Sequence, residues 1–197
     1  MRHLIAIKQL PVNYRQESAP KLERRWGAVL TADVVEFSRL IHIAEEQTYN
    51  LYKSYRRELL DPKVKEYEAR FVKSTGDGII AEFPSALDAA RCAVEVQQSM
   101  AERCQSMTRD SRVIFRIGLS WGRIMADLED IYGYDVNVAA RLQTIAPPGG
   151  IAMSSEVAGF IQGALPLQLE DIGKQYFHNM ASPVHVFRCR FYHHVIS

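Results

Sequence analysis

The chain has 197 residues, of which 47% are hydrophobic and 24% charged, the proportions of a globular protein with one domain and short additions. The formal net charge of +1 creates no field that favours nucleic acid or an acidic surface as a partner. No apolar run reaches the roughly 18 to 20 residues that cross a bilayer, so we expect no membrane segment. Three scattered cysteines without metal-ligand spacing are typical of a reducing compartment, which predicts a cytoplasmic protein.

The beginning of the chain is predicted to precede the folded domain. Residues 1–25 are interrupted by prolines and end in a charged run, which indicates an N-terminal arm or linker. The apolar run at residues 27–35 predicts a buried strand that ends at an acid, Asp33. We expect the domain over residues 26–191 and a C-terminal tail over residues 192–197, an ending consistent with a piece of a longer protein.

A helical stretch follows from about Ser38 to Tyr67. We expect a break near His42, because Glu45 and Glu46 resemble the acidic first turn of a new helix. Pro62 is expected to perturb the helix, since proline lacks the N–H that an interior helical position donates.

A hairpin is predicted over residues 71–83. Apolar residues flank the sequence Ser-Thr-Gly-Asp-Gly, whose glycines adopt turn conformations that other residues resist. The two arms and the turn carry a cation, Lys73, and a carboxylate, Asp77. Such a tip is most often a solvated turn, so the hairpin alone leaves open whether these charges have a function.

The second half of the chain alternates strands and helices. We predict, in order, a helix from Ser85 to about Cys104, paired strands at 113–119 and 124–126, a helix at 136–145, a strand at 151–153, a short helix from 154, and strands at 167–169 and 184–190. This order predicts an α+β fold, a ferredoxin-like mixed-sheet sandwich with helices covering the sheet.

Two acids stand at strand ends, Asp33 after the first strand and Asp77 in the hairpin turn. If the strands are neighbours, both carboxylates share one edge of the sheet, and at about 4 Å they repel by roughly 4 kcal/mol at an effective dielectric of 20. Such a pair persists when one group is protonated or a cation lies between them, and hard oxygen ligands favour Mg2+ or Mn2+. Two unrelated strand-end acids are the alternative.

Asn137 and Arg141 are four residues apart in a predicted helix and therefore share one face. An amide and a guanidinium on a small, apolar helix suit the positioning of a sugar and the stabilisation of phosphate charge. An ordinary surface pair has the same spacing, and the pattern leaves both meanings open.

Three motifs occur in order: Ala32-Asp33-Val34-Val35-Glu36-Phe37-Ser38, Lys73-Ser74-Thr75-Gly76-Asp77-Gly78, and Asp130-Ile131-Tyr132-Gly133 followed by Val136-Asn137-Val138-Ala139-Ala140-Arg141. Together they resemble the class III nucleotide cyclase catalytic domain, and most of all the bacterial adenylate cyclases of the rhizobial type. The resemblance covers about residues 25 to 190. Three motifs at compatible spacing are far more specific than any one of them.

The resemblance implies a site for Mg2+ or Mn2+, two ions per site. Asp33 and Asp77 correspond to the carboxylates that bind both ions, and the Val34 carbonyl is a further expected ligand. One ion helps to activate the ribose 3′-hydroxyl and the other neutralises the triphosphate and the leaving pyrophosphate. Ser38, in the same motif as Asp33, is expected to contact the substrate.

The resemblance also implies the substrate, ATP, and its conversion to 3′,5′-cyclic AMP and pyrophosphate. Lys73 and Asp130 correspond to the pair that reads the base, and the two positions differ in guanylate-specific relatives. Rejection of the wrong base is strong because it leaves buried polar groups unpaired. Asn137 is expected to orient the ribose, and Arg141 to stabilise charge on the transferred phosphate.

A head-to-tail homodimer is implied as well. Asp33 and Asp77 of one subunit would share each active site with the base-reading pair and the Asn137 and Arg141 helix of the other. Two symmetric sites then lie across an isologous interface. Activity would depend on association, and the arm at residues 1–25 is a candidate link to a sensor.

Three positions depart from the family's pattern. Glu36 stands where glycine is usual, in a loop that cradles phosphates with backbone N–H groups, so its carboxylate either repels them or points away. His178 aligns with a segment where relatives place a phosphate-binding lysine, and we expect it to contact the substrate. Arg123 stands where close relatives often carry an acid. These departures leave the metal carboxylates and the base-reading pair complete.

Two alternatives to an active adenylate cyclase follow. One is a cyclase-homology domain of weak or no activity that regulates by binding nucleotide or by dimerising. The other is a phosphotransferase or polymerase-like palm domain with the same two-carboxylate metal chemistry. Asp130 and the helix with Asn137 and Arg141 argue against the second.

Overall fold

The computed structural model describes residues 21–191. Eight strands belong to one sheet: β1 (Glu23–Val34), β2 (Arg70–Ser74), β3 (Ile79–Phe83), β4 (Phe115–Ala126), β5 (Ile131–Tyr132), β6 (Gly150–Ser154), β7 (Glu170–Gln175) and β8 (Val184–Arg190). Their order is β2-β3-β1-β4-β6-β8-β7, with β5 paired to β4. All neighbours are antiparallel except β4 and β6, which are parallel, so the sheet is mixed as predicted.

Helices cover both faces of this sheet. They are α1 (Phe37–Ile43), α2 (Glu45–Tyr55), α3 (Asp61–Glu66), α4 (Ala86–Cys104), α5 (Tyr134–Ile145) and α6 (Ser155–Ile161). Alternation along β1 divides the core, since Ala28 and Leu30 pack in the cluster that contains α4, whereas Val29 packs with Ala139 of α5. The predicted α+β sandwich is confirmed.

The long helical stretch breaks where it was expected to. Ala44 separates α1 from α2, and the acidic pair predicted to open a helix lies in the first turn of α2. Before Pro62 the chain forms a π-helical turn, Arg56–Leu60, in which the Asp61 N–H donates to the Arg56 carbonyl. The wider turn accommodates the proline without ending the helical path.

The predicted hairpin around residues 120–123 is wrong, because β4 is a single strand of 12 residues. Its whole length pairs with β1, from Val34 opposite Phe115 to Glu23 opposite Ala126. A turn there would leave the first five residues of β1 without a strand partner, because β3 pairs only with residues 28–32. Gly122 serves close packing, since a Cβ on it would overlap the carboxylate of Asp135 in α5.

Two boundaries also differ from the sequence expectation. β1 begins at Glu23, so the last residues of the expected arm belong to the sheet. The predicted strand at 167–169 is wrong: β7 begins at Glu170, and leucines 167 and 169 pack against the core without a strand partner. Residues 1–20 of the arm and the tail at 192–197 lie outside the described residues.

Candidate active site

The two strand-end acids approach each other. β1 and β3 pair antiparallel with Ala32 opposite Ile79, which places Asp33 beside the turn that carries Asp77. The pKa of Asp33 is raised, mainly by burial, and repulsion from Asp77 raises it further. The arrangement therefore gives one edge of the sheet two carboxylates with an unfavourable mutual interaction.

Arg116 is the residue of this site that sequence reasoning missed. It lies directly opposite Asp33 in the β1–β4 register. Its Nε and Nη2 donate to the two carboxylate oxygens of Asp33, at 3.1 and 2.7 Å, and Nη1 donates to the Thr144 carbonyl at 3.3 Å. The available signal was an arginine inside the apolar run at residues 113–119, which points to a specific partner.

The turn that carries Asp77 is stabilised by hydrogen bonds to one carbonyl oxygen. The Gly78 oxygen accepts hydrogen bonds from the Tyr52 hydroxyl at 3.3 Å, the Ser74 hydroxyl at 3.2 Å and the Thr75 N–H at 3.0 Å. Tyr52 is a buried residue of α2. The hairpin is thereby tied to the helical layer instead of standing free in solvent.

Lys73 and Asp130 form an ion pair within one chain. Lys73 Nζ lies 2.5 Å from Asp130 Oδ2, with 46% of the lysine side chain and 21% of the aspartate side chain exposed. The other oxygen of Asp130, Oδ1, accepts a hydrogen bond from the Ile131 N–H at 2.8 Å. The Asp130 N–H in turn donates to Asp127 Oδ1 at 2.7 Å. The loop thus fixes the carboxylate, while the ammonium reaches it from β2.

Asn137 and Arg141 lie on α5, as predicted, and both are exposed. The opposite side of the helix is anchored, because Thr31 Oγ1 donates to the Ala139 carbonyl at 2.8 Å and a Cβ on Gly118 would overlap that oxygen. Among the described residues Arg141 has no ion-pair partner, and neither side chain forms a hydrogen bond or ion pair with the carboxylates or with the Lys73–Asp130 pair.

The loop after β1 places Val34, Glu36 and Ser38. Val34 is the buried last residue of the strand, and Ser38 is exposed in the first turn of α1. Glu36 has a left-handed backbone (φ 53°, ψ 33°), a conformation that favours glycine. Its carboxylate accepts from Arg39 Nε at 2.7 Å, and Arg39 also pairs with Asp110.

The remaining predicted contact, His178, is exposed in the loop between β7 and β8. Arg123, the third unusual position, is exposed on β4. The structure thus assembles three groups in one chain: the two acids with Arg116, the Lys73–Asp130 pair, and the exposed face of α5.

The family model for the adenylate and guanylate cyclase catalytic domain matches residues 26–180. The chain belongs to this family. Its cyclase domain therefore includes all three groups described above, and His178 lies near the end of the matched region.

Similar proteins agree with this assignment. A Rhizobium meliloti protein named "Putative adenylate cyclase 3" is 37% identical over 84% of this chain and 28% of its own length. The adenylate cyclase of Streptomyces griseus is 28% identical over 64% of this chain and 30% of its own length. The chain thus spans about a third or less of these curated relatives.

Solved structures show the same fold. An adenylate/guanylate cyclase/hydrolase from Silicibacter pomeroyi is 40% identical with a TM-score of 0.82, covering 86% of this chain and 99% of that one. The adenylyl cyclase CyaB from P. aeruginosa has a TM-score of 0.74 at 22% identity, over 90% of this chain and 100% of that one. Within residues 21–191, no helix of the cyclase domain is long and apolar enough to cross a membrane.

Proposed function

We propose that this chain is the catalytic domain of an adenylate cyclase, which converts ATP to 3′,5′-cyclic AMP and pyrophosphate in intracellular signalling. The observation that carries the proposal is the Lys73–Asp130 ion pair, 2.5 Å between Nζ and Oδ2. Adenine presents an acceptor at N1 and a donor at its 6-amino group, which match an ammonium and a carboxylate. Guanine presents a donor at N1 and an acceptor at its 6-oxygen. The ammonium would then face a donor and the carboxylate an acceptor, and neither could form a hydrogen bond.

The donor set at the end of β1 fits Mg2+ or Mn2+. Asp33, Asp77 and the Val34 carbonyl offer hard oxygens. The pKa of Asp33 is raised mainly by burial and further by Asp77, and a cation between the acids would relieve this repulsion. In the described part of the chain no group of three or more His, Cys, Asp and Glu side chains could hold a metal ion. Two carboxylates completed by substrate phosphates are a common Mg2+ arrangement. When bound, two such ions supply charge that activates the ribose 3′-hydroxyl and neutralises the pyrophosphate.

Asn137 and Arg141 are proposed to act on a nucleotide held by the metal carboxylates of a second copy. Both side chains are exposed, and within residues 21–191 neither forms a hydrogen bond or ion pair with Asp33 or Asp77. In a head-to-tail homodimer, α5 of one copy faces the carboxylates of the other, and two symmetric sites result. There Asn137 orients the ribose and Arg141 stabilises charge on the transferred phosphate.

Phosphate contacts are proposed for Ser38 and His178, which are both exposed on loops or first turns. Glu36 does not oppose this assignment, because its carboxylate is paired with Arg39. We place the reaction in the cytoplasm. Cys92 and Cys189 are free thiols, as is typical of a reducing compartment.

A second candidate function is a regulatory cyclase-homology domain that binds nucleotide or dimerises without useful turnover. One observation favours it: Arg116 holds both oxygens of Asp33, the position where a metal ion would bind. The active enzyme requires this ion pair to open when the metal and nucleotide bind.

The test is an assay of cyclic nucleotide formation. Purified protein is incubated with ATP or GTP and Mn2+ or Mg2+ over a wide range of protein concentration, beside the Asp77→Ala variant. We expect cyclic AMP from the wild type only, with a specific activity that rises with protein concentration as dimers form. Bound ATP without product at every concentration would establish the regulatory module instead, and cyclic GTP as the main product would overturn the base assignment.

A further inference from the structure

A β-bulge lies immediately before Lys73. Phe71 pairs with Ala81 in the β2–β3 ladder, whereas Lys73 pairs with Ile80, so Val72 is an extra residue without an opposite partner. Bulges of this kind redirect the side chains that follow them. The direction of Lys73 therefore depends on a local irregularity that the ladder alone does not stabilise.

The residues on either side of the bulge contact one arginine. Arg56 lies over the ring of Phe71, with its guanidinium carbon 4.7 Å from the ring centroid. Its Nη1 donates to Ser74 Oγ at 3.1 Å. Val72, by contrast, packs against the cluster of Val29 and Ala139 on the other side of the sheet. Arg56 thus contacts both residues that flank Val72 and Lys73.

Arg56 is itself held in place. Its Nε and Nη2 donate to the two oxygens of Asp61 at 3.0 and 3.2 Å. The π-helical turn brings these residues together, because the Asp61 N–H donates to the Arg56 carbonyl five residues earlier. Only 13% of the Arg56 side chain is exposed. A planar guanidinium with two fixed edges suits the simultaneous contact to Asp61 and Ser74, which a lysine cannot reproduce.

We propose that Arg56 is a positioning residue for Lys73. By holding Phe71 and Ser74 it stabilises the bulge and thereby sets the path along which Lys73 reaches Asp130. The inference rests on the proposed function, in which Lys73 reads the adenine. Loosening this contact weakens base selection and substrate affinity and leaves the chemical step nearly unchanged.

The experiment compares Arg56→Gln and Ser74→Ala with Arg57→Gln, a matched control one residue away whose side chain is 76% exposed. The first readout is independent of activity: the acetylation rate of Lys73 in the full chain, measured by quantitative mass spectrometry. We expect it to rise fivefold or more in Arg56→Gln, which loses the contacts to Phe71 and Ser74, and in Ser74→Ala, which loses the hydrogen bonds to Arg56 and Gly78. Loss of one hydrogen bond alone produces a factor of about five. The rate should stay at the wild-type value in Arg57→Gln.

The second readout is the ratio of kcat/KM for ATP to that for GTP. We expect it to fall about fivefold in both variants through KM. In Arg56→Gln kcat should change less than twofold, whereas Ser74→Ala also removes the hydrogen bond from Ser74 to the Gly78 carbonyl beside Asp77, so its kcat is not used as a criterion. If Arg56→Gln does not fold, Ser74→Ala still tests whether Arg56 positions Lys73. Wild-type acetylation of Lys73 in folded Ser74→Ala overturns the positioning role, whatever the activity. A chain that forms no cyclic nucleotide overturns the proposed function, while the acetylation rates still decide whether Arg56 positions Lys73.

Discussion

The guanidinium of Arg116 holds both carboxylate oxygens of Asp33 across the β1–β4 pair. Arg116 is thus a positively charged partner for Asp33. Burial and the neighbouring Asp77 both raise the pKa of this aspartate. In the proposed enzyme this ion pair and a metal ion would compete for the same oxygens. Binding of metal and nucleotide would therefore have to move Arg116 or weaken its hydrogen bonds to Asp33.

Replacing Arg116 by glutamine is expected to tighten binding of Mn2+ to the nucleotide-free protein by tenfold or more, because one positive charge near the ion costs roughly several kcal/mol at an effective dielectric of 20. In metal-free buffer the variant should lose about 1–3 kcal/mol of stability, since Asp33 is left without its partner. Calorimetric titration with MnCl2 and urea unfolding in EDTA measure the two effects. Arg123→Gln, a change at an exposed position of the same strand, should show neither. An unchanged Mn2+ affinity in Arg116→Gln would contradict the competition.

Complementation tests the shared active site. Asp77→Ala and Arg141→Ala should each abolish cyclic AMP formation alone. Mixing them should restore up to about a quarter of the wild-type specific activity, because random pairing makes half of the dimers mixed and each mixed dimer holds one intact site. The assay is accompanied by analytical ultracentrifugation of each variant. If both variants dimerise and exchange subunits but the mixture stays inactive, the two residues do not act across the interface.

Asp130→Asn tests base recognition. The amide accepts from the adenine 6-amino group and also donates to the guanine 6-oxygen, so the variant should lose discrimination. We expect the preference for ATP over GTP in kcat/KM to fall about tenfold, equivalent to about 1.4 kcal/mol. Steady-state kinetics with both nucleotides measure it. Glu129→Gln, in the same loop and exposed, is the control. An unaltered preference would remove Asp130 from the base-reading site.

Glu36 offers a test of backbone strain in the loop after β1. Glu36→Gly should raise the free energy of unfolding by about 0.5 kcal/mol, because relief of the left-handed conformation, about 1 kcal/mol or more, exceeds the exposed Arg39 ion pair. Glu36→Ala keeps the strained backbone and loses the same ion pair, so it should be slightly destabilising. Urea unfolding of both variants separates the effect of backbone strain from the effect of losing the ion pair. Equal effects of glycine and alanine would show that the conformation carries no strain.

The pH dependence of stability has a predicted contribution from Glu95. Hydrogen bonds from Lys63 and then Tyr67 lower the pKa of Glu95 below its ordinary value of 4.5. The stabilisation is therefore present above pH 4.5 and is lost as the pH falls through the lower folded-state pKa. Glu95→Gln should be less stable than wild type at pH 7, with a difference that shrinks below pH 4.5.

Urea unfolding at a series of pH values measures this difference. Glu102→Gln, on an exposed position of the same helix, controls for the loss of one carboxylate. A stability gap between wild type and Glu95→Gln that stays constant from pH 7 to pH 3 would contradict the assignment.

Features set by neighbouring residues were predictable from the sequence. The hairpin followed from turn residues between apolar runs, and the break at Ala44 followed from the acids of the next helix. The spacing of Asn137 and Arg141 placed them on one helical face. These patterns depend on contacts within a few residues, which propensity and periodicity describe directly.

Features set by distant residues were not predictable in the same way. Gly122 resembled part of a turn, but it lies in a continuous strand because β1 supplies a partner along the whole of β4. Leucines 167 and 169 alternate with polar residues as in a strand. Both pack against the core, however, without belonging to a strand. Apolar periodicity reports burial, and burial does not require a hydrogen-bonded neighbour.

By itself the sequence determined the α+β class and the three motifs, and its resemblance to the cyclases predicted that Lys73 and Asp130 read adenine. Only the tertiary structure decided that Arg116 faces Asp33, 83 residues away, and that Arg56 supports the bulge beside Lys73. The reason is physical: cross-strand partners depend on sheet order and register, and a shift of one residue moves every side chain to the opposite face.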